Sequence, residues 1–319
     1  MAEPRPDSSV VLGTGPLGLA LARELASRGQ GVRLVNRSGR VPSGQVAPAQ
    51  VTQADVADPA ALEAACAGAQ VVFHCLGLPY AQWHRFPGLM SNVIECTART
   101  GARVIYGDNV YAYGAVDGPI HEGLAETAAT VKGRIRAEVA GLLMQAHREG
   151  RVPAAIARGS DFFGPGVTEA SMLGSRVFGR LVAGKPAQVV GDPDRLHSYT
   201  YIRDFARTLA ELATREEALG AVWHVPNAPA QTTRAIIQLI GARLGTPARI
   251  SILPRWMLAV AGLFDANARE LREMLYEFEA DFVVQGDRAR STFGLQATPL
   301  EQAVAETLEW WHKQGAAAG

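Results

Sequence analysis

Val10-Val11-Leu12-Gly13-Thr14-Gly15-Pro16-Leu17-Gly18-Leu19-Ala20-Leu21-Ala22-Arg23-Glu24-Leu25 is the stretch whose reading decides the fold. A short apolar run ends at a glycine, as a buried strand does. Pro16 then stands where a helix begins, and Leu17, Leu21 and Leu25 recur at helical spacing. The three glycines between strand and helix have separate jobs. Gly13 permits a tight turn, Gly15 lets the backbone approach a pyrophosphate, and Gly18 lets helix and strand pack closely. The helix N-terminus beyond them attracts an anion. A glycine-rich turn without a ligand is the alternative. The order strand, loop, helix, second strand favours a dinucleotide site held by Gly13, Thr14, Gly15, Pro16, Leu17 and Gly18.

The second strand is Val32–Val35, and its end bears on which dinucleotide fits. NAD sites place an acid there to hold the ribose hydroxyls. This chain has Asn36-Arg37-Ser38 and no carboxylate. Arg37 can pair with a 2′-phosphate and stack on adenine, and Ser38 can donate a hydrogen bond. The expectation is NADP(H), with NAD(H) still compatible if Arg37 is only a solvated turn residue.

Outward from this unit the first half keeps alternating. Ala60–Ala67 reads as helix, Val71–Cys75 as strand, Leu89–Arg99 as helix and Arg103–Tyr106 as strand. Thr127–His147 follows as a long helix and Ala154–Ala157 as strand. Such alternation means βαβ units and a parallel sheet. After about residue 160 turn signals break the pattern, and helical stretches dominate at Arg203–Thr214, Thr232–Leu244, Ala268–Phe278 and Leu300–Lys313. The fold class expected is α/β: a Rossmann-type doubly wound parallel sheet with a smaller, mostly helical C-terminal substrate lobe. Residues 1–165 would form the nucleotide-binding domain, its core continuing with segments of 190–230. Residues 166–319 would supply the discontinuous lobe.

Composition agrees. The 319 residues are 48% hydrophobic and 19% charged, which argues against disorder, and 31 basic residues balance 31 acidic ones. A net charge of zero speaks against a nucleic-acid binder. The polar Met1–Ser9 stretch has no apolar run of the signal-peptide kind, and Trp256–Phe264 is too short for a bilayer span of ~20 residues. A soluble cytoplasmic protein is expected, with no membrane partner. Cys66, Cys75 and Cys96 lack metal-ligand spacing, so no metal site or disulfide scaffold is expected.

Further motifs follow in order. Asp55-Val56, Cys75-Leu76-Gly77, Asn92, Tyr106-Gly-Asp-Asn109-Val-Tyr111-Ala-Tyr113-Gly114, Arg158-Gly-Ser-Asp161-Phe-Phe-Gly164-Pro165-Gly166 and Tyr199-Thr-Tyr201-Ile-Arg-Asp204 precede an ending with Thr298-Pro299-Leu300 and Thr307-Leu-Glu-Trp310. Together they resemble the extended or atypical short-chain dehydrogenases/reductases of the NAD-dependent epimerase/dehydratase superfamily, over nearly the whole chain. The resemblance implies that Asp55 and Val56 contact adenine and that Leu76 and Gly77 pass the cofactor. It also implies that Lys132 holds the nicotinamide ribose.

The departure from that pattern is at the catalytic centre. The family uses Tyr-x-x-x-Lys with a nearby Ser or Thr. Four residues before Lys132 stands Ala128, and the serine position falls on Asn109 or Asp108. Lys132 is therefore a candidate proton donor as well as a ribose ligand. Tyr111 and Tyr113 would share one face if the strand continued, and either could offer a hydroxyl; aromatic packing is the alternative for each. Asn109 could orient a carbonyl. Trp83 and His84 form a candidate substrate lid or a plain surface loop. Tyr199 and Tyr201 are candidate pocket residues, since the resemblance places substrate contacts in the C-terminal lobe. His74 reads as a satisfied core histidine.

Three functions are weighed. The first is an NADP(H)-dependent oxidoreductase acting on a small carbonyl or hydroxyl compound. The second is a non-catalytic cofactor-binding sensor or scaffold, and the third a sugar-nucleotide epimerase/dehydratase. The chain would be a monomer or a homodimer.

Overall fold

The structure is a computed structural model describing residues 9–41, 50–257, 269 and 272–317. The chain runs β1 (Ser9–Leu12), α1 (Pro16–Ser27), β2 (Val32–Asn36), β3 (Gln50–Gln53), α2 (Pro59–Cys66) and β4 (Val71–His74). It continues through α3 (Phe86–Thr100), β5 (Arg103–Asn109), α4 (Val131–Arg148) and β6 (Ala154–Gly159). Then come β7 (Asp161–Phe163), α5 (Arg180–Val182), β8 (Ala187–Val189), β9 (Leu196–His197) and β10 (Tyr199–Tyr201). These lead into α6 (Ile202–Leu212), β11 (Val222–His224), β12 (Gln231–Thr232) and α7 (Thr233–Leu244). The last elements are β13 (Ile250–Ile252), α8 (Asp287–Phe293) and α9 (Leu300–Ala317).

Seven strands form one parallel sheet in the order β11-β6-β5-β4-β1-β2-β3. Both faces are covered, so the central strands are apolar runs rather than alternating ones. Val10, Leu12, Val72, Val104 and Ile156 face α2, α3 and α4, packing on Leu62, Met90 and Leu143. Val11, Phe73, Ile105 and Ala155 face α1 and α6, packing on Leu21, Phe205 and Leu209. A separate cluster holds Phe163, Phe178, Tyr199, Tyr201, Ile236 and Val304, away from the sheet. This is the Rossmann-like α/β arrangement. The strand order reverses between β1 and β4, and such sheets bind ligands in the crevice at that point.

Three local differences from the sequence reading matter for the site. Helix α4 starts at Val131, not Thr127, because the Thr130 hydroxyl accepts from the Gly133 N–H and caps it there. Residues 127–129 instead pack on the turn after β5, where the Ala128 N–H donates to the Ala112 carbonyl at 3.2 Å. Strand β5 ends at Asn109, and Tyr111–Tyr113 is a single 3-10 turn. The helix expected over Ala268–Phe278 lies partly outside the described residues, and Arg272–Phe278 is 3-10 helical.

Candidate functional site

The β1–α1 loop closes against the loop after β4. A Cβ on Gly13 would stand 2.7 Å from the Cys75 carbonyl oxygen, and Gly13 has φ +101°, so only glycine fits both space and conformation. A Cβ on Gly18 would stand 2.0 Å from the Gly13 carbonyl oxygen. Gly15 is the opposite case, with nothing within 4 Å of its Cβ direction. The first turn of α1 carries no side-chain cap and no acidic residue. Beside this helix start lies a cavity of about 250 Å³ lined by Gly13, Thr14, Gly15, Asn36, Arg37, Asp55, Val56, Leu76 and Gly77. An uncapped helix start beside an open glycine is what a phosphate-bearing ligand requires.

The side chains at the end of β2 divide their work. Asn36 donates to the Thr14 hydroxyl and the Arg40 carbonyl, both at 2.8 Å, and accepts from the Ser38 and Gly39 N–H groups. It is the organiser of this turn. The Ser38 hydroxyl is engaged with Asn36 and Arg40 inside the same turn. Arg37 is exposed on the cavity rim and makes no ion pair among the described residues. Arg85 lines the same cavity and was not anticipated there. Pro16, Leu17 and Gly18 form the helix start itself.

From Leu76 the loop runs on to Tyr80, where the second part of the site begins. The Tyr80 and Tyr111 hydroxyls are 3.1 Å apart. Lys132, only 1% exposed, lies 5.3 Å from the centre of the Tyr80 ring. Burial pushes both phenols well above their ordinary range, so they remain protonated. Trp83 donates to the Leu78 carbonyl, stacks on Tyr111 at 5.8 Å and carries the Arg136 guanidinium over its ring at 4.2 Å. Trp83 is a buried support for Tyr111, whereas His84 is exposed.

Tyr111 and Tyr113 do not share a face, because the strand stops before them. The Asn109 carboxamide accepts from the Tyr111 N–H and starts the turn. Tyr113 points to the sheet edge, where its hydroxyl lies 2.8 Å from His224 Nε2. His224 Nδ1 faces the Gln285 carbonyl, so Nδ1 carries the proton and the Tyr113 hydroxyl donates to Nε2. Burial pushes His224 down to about 4, which keeps it neutral. Tyr199 bonds Thr233 and Tyr201 bonds Glu306, both from within the lobe cluster.

Position 128 packs closely on two glycines. Ala128 is buried, and a Cβ on Gly133 or Gly114 would already crowd it, at 2.3 Å from its Cβ and 2.9 Å from its Cα.

Two acidic residues of the Arg272–Phe278 segment were not foreseen. Glu273 accepts from Lys132 Nζ at 2.7 Å. Burial pushes the Glu273 carboxyl up, but Lys132 and two backbone N–H groups outweigh this and hold it below its ordinary value. Glu277 is buried, and burial with the nearby Asp161 charge pushes it well above the carboxylate range. Its backbone carbonyl faces His197 Nδ1 at 3.1 Å, and His197 Nε2 is 2.9 Å from Asp161. A carbonyl can only accept, so His197 Nδ1 carries a proton. His74 departs from the satisfied reading. It is fully buried, and neither ring nitrogen has a partner among the described residues.

Below the surface, Asp108 binds Arg158 at 3.0 Å and Arg158 pairs with Glu126 at 2.7 Å. Arg136 donates to the Tyr106 hydroxyl. These charges join β5, β6 and α4, and the Arg136 guanidinium acts on both phenols as well. Among the described residues no group of His, Cys, Asp or Glu could hold a metal, and no helix is long and apolar enough to cross a membrane.

A sequence model of the NAD dependent epimerase/dehydratase family matches residues 10–225. The chain belongs to this family. Solved structures of the same architecture include the dTDP-glucose 4,6-dehydratase of Bacillus anthracis str. Ames in complex with NAD, with 12% identity, 97% of this chain and 98% of that one covered, and a TM-score of 0.80. The UDP-glucuronic acid 4-epimerase of Bacillus cereus, in complex with NAD, shares 16% identity over 96% of this chain and 98% of its own, with a TM-score of 0.77. MoeE5 in complex with UDP-glucose and NAD shares 20% over 96% and 99%, with a TM-score of 0.78. No curated protein matches the chain in sequence.

Proposed function

We propose that this chain is an NADP(H)-dependent oxidoreductase acting on a small carbonyl or hydroxyl compound. The observation that carries the reading is the uncapped α1 start at the open Gly15, beside a cavity whose neighbouring loop leads to Tyr80, Tyr111 and Lys132. Gly13, Thr14 and Gly15 would hold the pyrophosphate, Asp55 and Val56 the adenine, and Leu76 and Gly77 the middle of the cofactor. Arg37 would pair with a 2′-phosphate. A bound nicotinamide supplies the hydride. The chain must then supply a proton to the substrate oxygen; in this reading Lys132 would do so, with the Tyr111 hydroxyl as its aide. Both phenols stay protonated, so they serve as donors and hydrogen-bond guides.

The family and its NAD-bound neighbours favour a second reading, a sugar-nucleotide substrate turned over without net consumption of cofactor. One experiment separates the two. The protein is mixed with NADPH and a panel of aldehydes, ketones and enones, and cofactor absorbance is followed. Consumption that Lys132→Met abolishes while NADPH still binds supports the oxidoreductase. Tight binding with no consumption across the panel removes it.

A further inference from the structure

The cavity beside the glycine loop holds a cation that the sequence did not point to. Three charged residues line it, Arg37, Asp55 and Arg85. The Asp55 carboxylate folds back on its own loop, where Oδ1 accepts from the Ala57 N–H at 2.9 Å. Two guanidiniums against one carboxylate leave the wall net positive, and the start of α1 adds the positive end of a helix dipole.

Arg85 reaches this cavity from a different part of the chain than Arg37. Arg37 follows β2, whereas Arg85 closes the 3-10 turn Tyr80–Arg85 after β4 and leads directly into α3. β2 and β4 pair with opposite edges of β1. The glycine loop that leaves β1 therefore lies between the two elements that carry the arginines. Arg85 is half-buried and makes no ion pair among the described residues. Its guanidinium has one bond there, from Nη1 to Gln82 Oε1 at 3.3 Å within the same turn. A guanidinium always carries its charge and offers five N–H donors in a fork that matches a phosphate. Arg136, which packs on Trp83 of the same turn, is by contrast committed to Tyr106 and Asp108. Arg85 keeps its charge and most of its donors for an anion.

We propose that Arg85 is a phosphate-binding residue of the dinucleotide site, a second cation beside Arg37. The inference rests on the reading of this cavity as the cofactor site. Coming from the β4 side of the glycine loop, Arg85 would pair with the pyrophosphate, which NAD(H) and NADP(H) share. Arg37 would take the 2′-phosphate, which only NADP(H) carries.

The affinities of the full chain for NADH, NADPH, ADP-ribose and adenosine are measured by calorimetric titration. In Arg85→Ala the first three are each expected to fall roughly tenfold, as loss of one hydrogen bond between charged groups does, with adenosine unchanged. Arg85→Lys keeps the charge without the planar fork and should recover part of the loss. Arg85→Gln, which keeps most of the side chain, carries the test where the alanine variant does not fold. A loss confined to NADPH would place Arg85 at the 2′-phosphate and still make it a phosphate ligand. Unchanged affinities in the folded variant, or an equal loss for adenosine, overturn the proposal. The titration needs no turnover. A silent carbonyl panel, with dinucleotide affinity lost in Arg85→Ala, would remove the oxidoreductase reading alone. An active panel with unmoved affinities would remove only the role of Arg85. A wild-type chain that binds no dinucleotide would remove both.

Discussion

Acid should loosen this protein through His74, and the size of the effect follows from its position. His74 ends β4, opposite Tyr106 across the pairing with β5, and packs edge-on to that ring at 4.9 Å. It is fully buried with neither ring nitrogen bonded among the described residues, and burial, aided by the Arg136 charge, pushes it from 6.5 down to about 4. As pH falls from about 7 to about 5, the unfolded chain takes up this proton and the folded chain does not. Stability is therefore full above the unfolded value and declines through this window until the folded group protonates near 4. Between those pH values the loss is about 2 kcal/mol for His74 alone. The perturbation is His74→Leu, which removes the titration and two orphan nitrogens while keeping an apolar shape. Urea unfolding followed by tryptophan fluorescence at both pH values gives four stabilities. The drop from neutral to acid pH should be about 2 kcal/mol smaller in the variant, because all other groups cancel in the comparison. Stability at neutral pH should be equal or higher, since unpaired buried polar atoms cost free energy. Equal acid drops in wild type and variant would refute the reasoning.

Other outcomes are expected at the cofactor cavity and beside it. Arg37→Ala should weaken NADPH binding roughly tenfold while leaving NADH affinity nearly unchanged, by calorimetric titration, as loss of one phosphate contact does; unchanged NADPH affinity would sink the NADP(H) preference. Gly18→Ala forces a carbon into the Gly13 carbonyl, so it should cost about 1–3 kcal/mol in denaturant unfolding and abolish dinucleotide binding. Tyr111→Phe should reduce turnover with cofactor affinity kept. Tyr113→Phe should leave turnover alone and cost about 1–3 kcal/mol of stability, since it strips the buried His224 Nε2 of its donor.

Local chemistry was legible in the sequence, and long-range chemistry was not. Gly13, Gly15 and Gly18 announce their roles because a tight turn, an open backbone and a close helix each demand glycine within six residues of chain. The turn at Asn36 was legible as the end of β2, although Asn36 and Ser38 organise the turn and Arg37 is the residue left facing out. The face of Tyr111 was misread because the end of β5 is set elsewhere: pairing with β6 stops at Asn109 opposite Gly159, and the Asn109 side chain then caps a turn. Nothing in the sequence marks Glu273. Its partner is 141 residues away, and Glu273 sits among other acids in a stretch read simply as helix. Tyr80 had a fainter signal, as an aromatic residue close after the Leu76–Leu78 loop that lines the cavity.

The account stands or falls on hydride leaving the cofactor for a substrate. The most direct measurement uses NADPH carrying deuterium at the transferable position of its nicotinamide ring, incubated with the protein and the carbonyl panel, with products read by mass spectrometry. The account predicts an alcohol or saturated product heavier by one deuterium, formed by the wild-type chain and not by Lys132→Met. Saturating NADPH binding at the glycine loop with no deuterium in any product would contradict it.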